Sequence, residues 1–149
     1  MKLNLDCVRD IMLWAESLTT PTKFALYLDT DMVERQKFIY MSDKNTPKPP
    51  SEQKILTDKY SNEELVYHLS YCINDGLLEP MDFPGSEYIA IKDLTPDGHE
   101  YLGNIRNEEI YNTTKEKAKR LGIETVKAHV EIAKVVASSL IAEYLGLNS

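Results

Sequence analysis

Residues 61–91 decide the fold, and they read SNEELVYHLSYCINDGLLEPMDFPGSEYIAI. Ser61 is a residue type that caps helix N-termini, and Gly76 is the type that ends helices in the left-handed conformation. Between them, apolar residues recur at steps of three and four, which is the period of one buried helix face. The pair Pro84-Gly85 then favours a tight turn between two apolar runs. The stretch therefore predicts a helix followed by a two-stranded β-hairpin.

Further elements are predicted on both sides of this stretch from apolar periodicity, β-forming runs and capping residues, with Asn4 as an N-cap and Gly122 as a C-terminal stop. They are helices over residues 5–18, 96–121 and 124–145 and short strands over residues 24–28 and 37–41. We therefore predict an α+β fold that is mostly α. A winged-helix-like core of helices with a β-hairpin wing covers residues 1–121, and an apolar C-terminal helix follows in residues 122–149 as a core or oligomerisation element.

Length, charge and cysteine content limit the class of protein. The 149 residues suit one domain, and the formal net charge of −7 repels nucleic acid unless a local basic patch overcomes it. We find neither a signal-peptide pattern nor an apolar run long enough for a membrane span, and Cys7 and Cys72 have no paired spacing. The chain is therefore predicted to be cytoplasmic, with reduced, buried thiols and no membrane partner.

Four strings resemble a known family: MKLNLDCVRD at residues 1–10, YSNEELVYHL at 60–69, NDGL at 74–77 and DLTPDGHEYL at 93–102. The resemblance is to the bacterial and prophage domain-of-unknown-function family 2513, and it covers most of residues 1–122. Leu5 departs from the family pattern, which has proline there. The resemblance implies a winged-helix-like fold and a phage-related context, and it supplies no activity to carry over.

The exposed face of the helix that begins after Ser61 is the first candidate site. It is predicted to present Glu63, Tyr67, Ser70, Tyr71 and Asn74. Residues 61–79 contain no lysine or arginine, so this face offers no phosphate contacts for DNA. Two tyrosines one turn apart suit a protein-binding surface instead. The alternative is that the predicted strands cover both tyrosines.

The second candidate is basic. Lys115, Lys117, Lys119 and Arg120 lie near the end of the 96–121 helix, where they complement the helix dipole or contact phosphates. A DNA-binding, helix-turn-helix-like regulator is therefore the alternative function. It requires a patch that joins these residues to Lys44, Lys48, Lys54 and Lys59.

Metal and catalytic chemistry have weak signals. Glu64, His68 and Cys72 recur every four residues, but zinc needs three or four converging ligands, and His99 and His129 lie in other helices. We interpret His68 as a hydrogen-bonded core histidine. No phosphate loop or hydrolase motif is found. We predict no metal, no cofactor, no catalytic residue and no enzymatic activity.

The C-terminal helix is apolar around most of its circumference, so it must be covered on more than one side. Either it lies inside one chain, or it pairs two chains in a homodimer through Val126, Val130, Ala133, Val136, Ala137, Leu140, Ile141 and Tyr144. We thus expect a non-enzymatic accessory or regulatory protein of phage or prophage type, which binds an unknown protein partner. A homodimer is the second of the two alternatives for the C-terminal helix.

Overall fold

The computed structural model describes residues 1–42 and 44–147. The fold is α+β and mostly α, as predicted, and the chain divides into two compact units, Met1–Thr95 and Pro96–Ser149. The first unit contains α1 (Leu5–Leu18), β1 (Ala25–Leu28), α2 (Thr30–Arg35), 3-10 turns at Lys37–Ile39 and Ser51–Gln53, α3 (Lys54–Thr57), α4 (Asn62–Asn74), β2 (Leu78–Met81) and β3 (Tyr88–Leu94). The second contains α5 (Pro96–Ile105), α6 (Glu108–Leu121) and α7 (Val126–Tyr144).

The strands of the first unit form an antiparallel sheet in the order β1-β3-β2. The predicted hairpin is present: Leu78 pairs with Leu94, and the ladder shifts register between Glu79 and Pro80. A bulge at that point fits the chemistry, because proline cannot donate a ladder hydrogen bond. β1, which the sequence also predicted, pairs with β3 on the other side and places Ala25 opposite Ile91.

The outer edge of β1 is closed by a side chain. The amide of Gln53 accepts a 2.8 Å hydrogen bond from the backbone N–H of Leu28 and donates a 2.9 Å bond to its carbonyl. Gln53 is fully buried, and its amide makes the two hydrogen bonds that the backbone of a neighbouring strand would make to Leu28. These two bonds also fix the start of α3 against the sheet.

The strand predicted over residues 37–41 is wrong. Lys37–Ile39 forms a 3-10 turn with local bonds, including Ile39 N–H to the Gln36 carbonyl at 2.8 Å. Phe38 is 77% exposed and Met41 is 91% exposed, so the run has no face packed in a core. β-forming residues stabilise a strand only through packing and pairing, and Gln53 already occupies the free β1 edge at Leu28.

Helices α1 and α4 pack together in the first unit, and both begin at the predicted caps. The Asn4 side chain accepts bonds from the backbone N–H groups of Asp6 and Cys7, and Ser61 accepts one from Glu64. Their facing residues are fully buried: Cys7, Val8 and Ile11 from α1, and Leu65, Leu69 and Cys72 from α4. Gly76 ends α4 with a positive φ of 76°, as predicted.

The helix predicted over residues 96–121 is two helices. α5 ends at Ile105, and Asn107 starts α6 by accepting a 3.0 Å bond from the backbone N–H of Ile110. Asparagine is among the best N-caps, so it can restart a helix where apolar periodicity alone reads as continuous. Hydrophobic spacing on both sides of the break hides it from a pattern search.

The turn between α6 and α7 follows the predicted glycine signal. Gly122 has a φ of 68°, and Ile123 N–H bonds to the Ala118 carbonyl while Gly122 N–H bonds to Lys119. This is a Schellman motif. The second unit is therefore three helices in which α7 packs on α5 and α6. The predicted domain boundary at residue 121 concerns which segment folds alone, and it stays a prediction.

Candidate functional site

The predicted protein-binding face lies on α4, opposite its buried residues. Glu63, Ser70 and Asn74 are exposed, Tyr67 is 36% exposed and Tyr71 is partly exposed. The two tyrosine rings lie with centroids 6.0 Å apart and a tilt of 51°. The structure therefore brings the five residues together on one surface, and the two tyrosines form its aromatic centre. We call these five residues the tyrosine face.

His68 fixes the rotation of α4 behind the tyrosine face. It is fully buried, its Nε2 accepts a 2.8 Å bond from the backbone N–H of Asn4, and its Nδ1 lies 2.7 Å from the Glu64 carbonyl oxygen. Because Nε2 accepts, the ring proton lies on Nδ1 and is donated to Glu64. The prediction of a hydrogen-bonded core histidine is confirmed.

A second cluster, which the sequence did not predict, holds the N-terminus of α4. The Asn62 amide donates to Asp29 at 2.8 Å and to Asp31 at 3.0 Å, and its oxygen accepts from the Tyr27 hydroxyl at 2.8 Å. Asp29 is also the N-cap of α2, bonded to the backbone N–H of Asp31 and Met32. The one available signal was an amide directly after the Ser61 cap, which is too common to be specific.

The two cysteines of the first unit are buried, and burial raises the pKa of both thiols. Burial, with the nearby charges of Glu64 and Asp10, raises the pKa of Cys7 to about 12. Burial raises the pKa of Cys72 further, with a smaller contribution from Cys7. Both thiols are reduced and buried. Low-pKa thiolates are the reactive form, so neither cysteine is suited to nucleophilic catalysis.

Three exposed lysines of the first unit each lie near a carboxylate. Lys54 pairs with Asp58 at 2.9 Å, Lys59 with Asp10 at 3.4 Å, and Lys92 of β3 with Glu79 at 3.7 Å. Each of these lysines would have to leave a carboxylate to contact a phosphate. The other two lysines of the predicted patch, Lys44 and Lys48, are exposed.

The basic cluster of α6 is spread around the helix. Lys115 lies over the Tyr111 ring, 5.1 Å from its centroid, and Arg120 pairs with Glu116 at 2.9 Å. Lys117 turns toward α7, while Lys119 is exposed near the helix end. The four cations therefore form no single stripe on α6. The joint patch with the lysines of residues 44–59 stays a prediction.

A groove of about 670 Å³ runs between α6 and α7. Its apolar lining comes from Ile110 and Leu121 of α6 and from Ile132, Val135, Val136 and Leu140 of α7. Charged residues from both helices flank it. Sequence reasoning missed this groove because it depends on the distance between two helices that the sequence shows only as separate patterns.

The predicted oligomerisation residues divide into three groups on α7. Val126, Ala133 and Ala137 are buried within the chain, and Val130 is half-buried. Val136 and Leu140 are half-buried in the groove. Ile141 is 58% exposed and Tyr144 is 89% exposed near the end of the helix. The residues still available for a partner thus lie in the groove and beyond it.

The described residues contain neither a candidate metal site nor a helix that could span a membrane. There, no group of three or more histidine, cysteine or acidic residues is placed to hold a metal ion. His99 is exposed on α5, whereas His129 is buried on α7 beside Tyr101. Across residues 1–42 and 44–147, no helix combines the length and hydrophobicity that crossing a bilayer requires.

The family assignment comes from residues 27–124, which match the family model described as "Hypothetical protein (DUF2513)". The chain belongs to domain-of-unknown-function family 2513. The DUF2513 region contains α2, α4, the hairpin, α5 and α6, and so includes the whole tyrosine face. The α7 side of the groove lies beyond the matched residues.

One relative of this DUF2513 chain is a Haemophilus influenzae protein described as an uncharacterized protein. It is 28% identical over 89 residues, which cover 56% of this chain and 73% of the relative. No solved structure matches the chain.

Proposed function

We propose that this chain is a non-enzymatic accessory or regulatory protein of phage or prophage type that binds a protein partner through the tyrosine face of α4. The observation that carries the proposal is the pair Tyr67 and Tyr71, which lie together at the surface while the other side of α4 is buried. Tyrosine offers a large, rigid contact area with one polar group, and it is enriched where protein interfaces gain most energy.

The support for the face also lies in how firmly it is held. His68 bonds α4 to the start of α1, and Asn62 bonds it to Asp29 and Asp31. A pre-ordered helix loses little conformational entropy on binding, which favours recognition by a rigid surface. Small polar neighbours such as Ser70 leave the rings accessible.

The charge of the face favours a protein over a nucleic acid. Glu63 lies on it, and residues 61–79 provide no cation. A partner with a basic or hydrogen-bonding surface complements this face, because opposite charge speeds encounter and excludes wrong partners. The expected partner is therefore a protein whose surface carries lysine or arginine around an apolar pocket.

Photo-crosslinking in bacterial cells tests the proposal. A benzoylphenylalanine at Ser70 should yield one discrete protein adduct, identified by mass spectrometry, and the adduct should disappear in a Tyr67→Ala, Tyr71→Ala background. Tyr144→Ala, which removes an exposed tyrosine on α7, is the matched control and should leave the adduct unchanged. An adduct that persists without both tyrosines, or no discrete adduct at all, would contradict the proposal.

DNA binding is the second candidate, because a helix followed by a hairpin that pairs with β1 is the order expected of a winged helix. Fluorescence anisotropy with random duplex DNA tests it at low and high salt. Phosphate contacts predict affinity that falls steeply with salt and a further loss in Lys117→Glu. Salt-independent or undetectable binding removes this candidate.

A further inference from the structure

We propose that a second copy of this chain docks on the groove between α6 and α7, and that the two copies are related by a twofold axis that sets their α7 helices antiparallel. The proposal concerns the second unit alone and does not rest on the tyrosine face. It names the occupant of a surface that the described residues leave uncovered.

The groove has an apolar floor that is open to solvent. Val135 lies in it and is 65% exposed, while Ile132, Val136 and Leu140 are half-buried beside it. These side chains stand on one side of α7 over about two turns. Their exposure costs hydrophobic free energy that a partner's apolar surface would recover.

The partner's groove supplies the matching apolar side chains, because a twofold axis sets the same surface of each copy against the other. In an antiparallel pair, the last turns of one α7 lie along the middle of the other. Ser139, which lines the groove, then lies near the crossing, where a small side chain lets two helices approach closely.

The two ends of the groove carry opposite charges. Residues 122–125 join the two helices, so the end of α6 and the start of α7 lie at one end of the groove. Lys117 and Arg120 lie toward that end. Glu109, near the start of α6, and Glu143, in the last turn of α7, flank the opposite end. The groove is therefore basic at one end and acidic at the other.

Two existing ion pairs affect this pattern without cancelling it. Glu131 also lines the groove toward the basic end, but it lies 3.6 Å from Lys134. Arg120 contacts Glu116 at 2.9 Å, and both side chains are well exposed. Exposed pairs of this kind contribute little to stability, so Arg120 can exchange its partner easily.

This polarity selects a second copy over an unrelated helix. A twofold axis perpendicular to the groove sets the grooves of the two copies antiparallel. The acidic end of each copy then lies on the basic end of the other. The contact is thus made twice: Glu109 and Glu143 of one copy face Lys117 and Arg120 of its partner. A parallel arrangement of the two grooves would instead place like charges opposite each other.

Sedimentation velocity on the full chain, from about 1 μM to about 500 μM, tests the proposal. We expect a reversible monomer–dimer equilibrium that weakens as salt rises from about 50 mM to about 500 mM. Val135→Asp should weaken the dimer by at least about tenfold, because it buries a charge in the interface. Lys127→Glu, on α7 outside the groove, is the matched control and should leave the dimer intact.

Charge reversal at one end of the groove decides the orientation, because a parallel pair already opposes like charges and would lose little from it. Glu109→Lys with Glu143→Lys should weaken self-association, and so should Lys117→Glu with Arg120→Glu. A mixture of the two double variants should dimerise again, because the antiparallel contact then pairs opposite charges at both ends. Circular dichroism confirms that each variant is folded.

Several outcomes would overturn the proposal. One is a chain that stays monomeric over the whole concentration range, which would leave the groove to a helix of another protein. Another is a dimer that Val135→Asp does not affect. A third is a mixture of the charge variants that fails to recover. A dimer without any crosslinked partner at Ser70 would support this proposal while contradicting the proposed function.

Discussion

The backbone N–H of Asn4 donates a 2.8 Å hydrogen bond to Nε2 of His68, and this contact links residues 64 apart in the sequence. Asn4 is at the same time the side-chain cap of α1. Asn4 thus caps the start of α1 and also bonds to α4, whose rotation this contact fixes. The orientation of the tyrosine face depends on this bond.

Replacing His68 should destabilise the first unit. His68→Ala leaves the Asn4 N–H without its acceptor and opens a cavity, and we expect a loss of about 2–4 kcal/mol in the free energy of unfolding. His68→Gln, whose amide oxygen can accept the same bond, should recover part of that loss. Urea denaturation measures both variants, with the midpoint shifting at constant slope.

The control is Ser70→Ala, since Ser70 is exposed on α4. Exposed substitutions usually change stability by less than about 0.5 kcal/mol. If His68→Ala behaves like this control, the bond to Asn4 does not determine the position of α4.

The native thiols should resist modification. Burial raises the pKa of Cys7 to about 12 and raises that of Cys72 further, so almost no thiolate is present near neutral pH. We expect Ellman's reagent to react with neither thiol in the folded chain and with both in denaturant, because the thiolate is the nucleophile. Glu100→Cys, exposed on α5, provides a fast-reacting positive control. Rapid reaction of the native thiols at rates like that control contradicts the prediction.

Stability should fall in alkaline solution. Burial raises the pKa of Tyr27, and burial with the 2.6 Å hydrogen bond to Asp10 raises that of Tyr60. Groups whose pKa is higher in the folded state stabilise it fully below their unfolded pKa and lose that contribution as pH rises toward the folded value. The cysteines, with an ordinary pKa of 9.0, begin this loss, and the tyrosines, at 10.0, extend it.

The measurement is the urea midpoint between about pH 8 and about pH 12, which should decrease steadily above about pH 9. Tyr60→Phe removes one titrating group and should reduce the slope, whereas Tyr144→Phe, at an exposed site, should not. A midpoint that stays constant over this range would show that these groups titrate equally in both states.

Two glycines should respond to alanine with opposite signs. Gly122 has a φ of 68° at the end of α6, where a side chain is strained, so Gly122→Ala should cost about 1 kcal/mol. Gly103 lies inside α5 with open space around its Cβ position, so Gly103→Ala should stabilise by about 0.5–1 kcal/mol. Thermal unfolding compares the two variants. A Gly122→Ala variant as stable as the wild type would mean that the Schellman turn does not require a left-handed residue, and a destabilising Gly103→Ala would contradict the open space at that site.

The sequence determined those features that depend on neighbours along the chain. Asn4, Ser61 and Gly122 act as the caps that their residue types predict, because capping bonds reach only two to five residues. The hairpin and the buried side of α4 followed from local periodicity in the same way. The sequence also placed the tyrosine face opposite the buried side of α4, and it left open whether strands cover the two tyrosines.

Only the tertiary structure decided the features that join distant residues. Gln53 occupies the β1 edge at Leu28, 25 residues away, and the run at 37–41 forms a 3-10 turn instead of a strand. Asn62 meets Asp29 and Asp31 across more than 30 residues, and the groove exists only because α6 and α7 lie side by side. Hydrogen bonds and packing between distant segments leave no periodic trace in the sequence, because either partner alone is an ordinary surface residue.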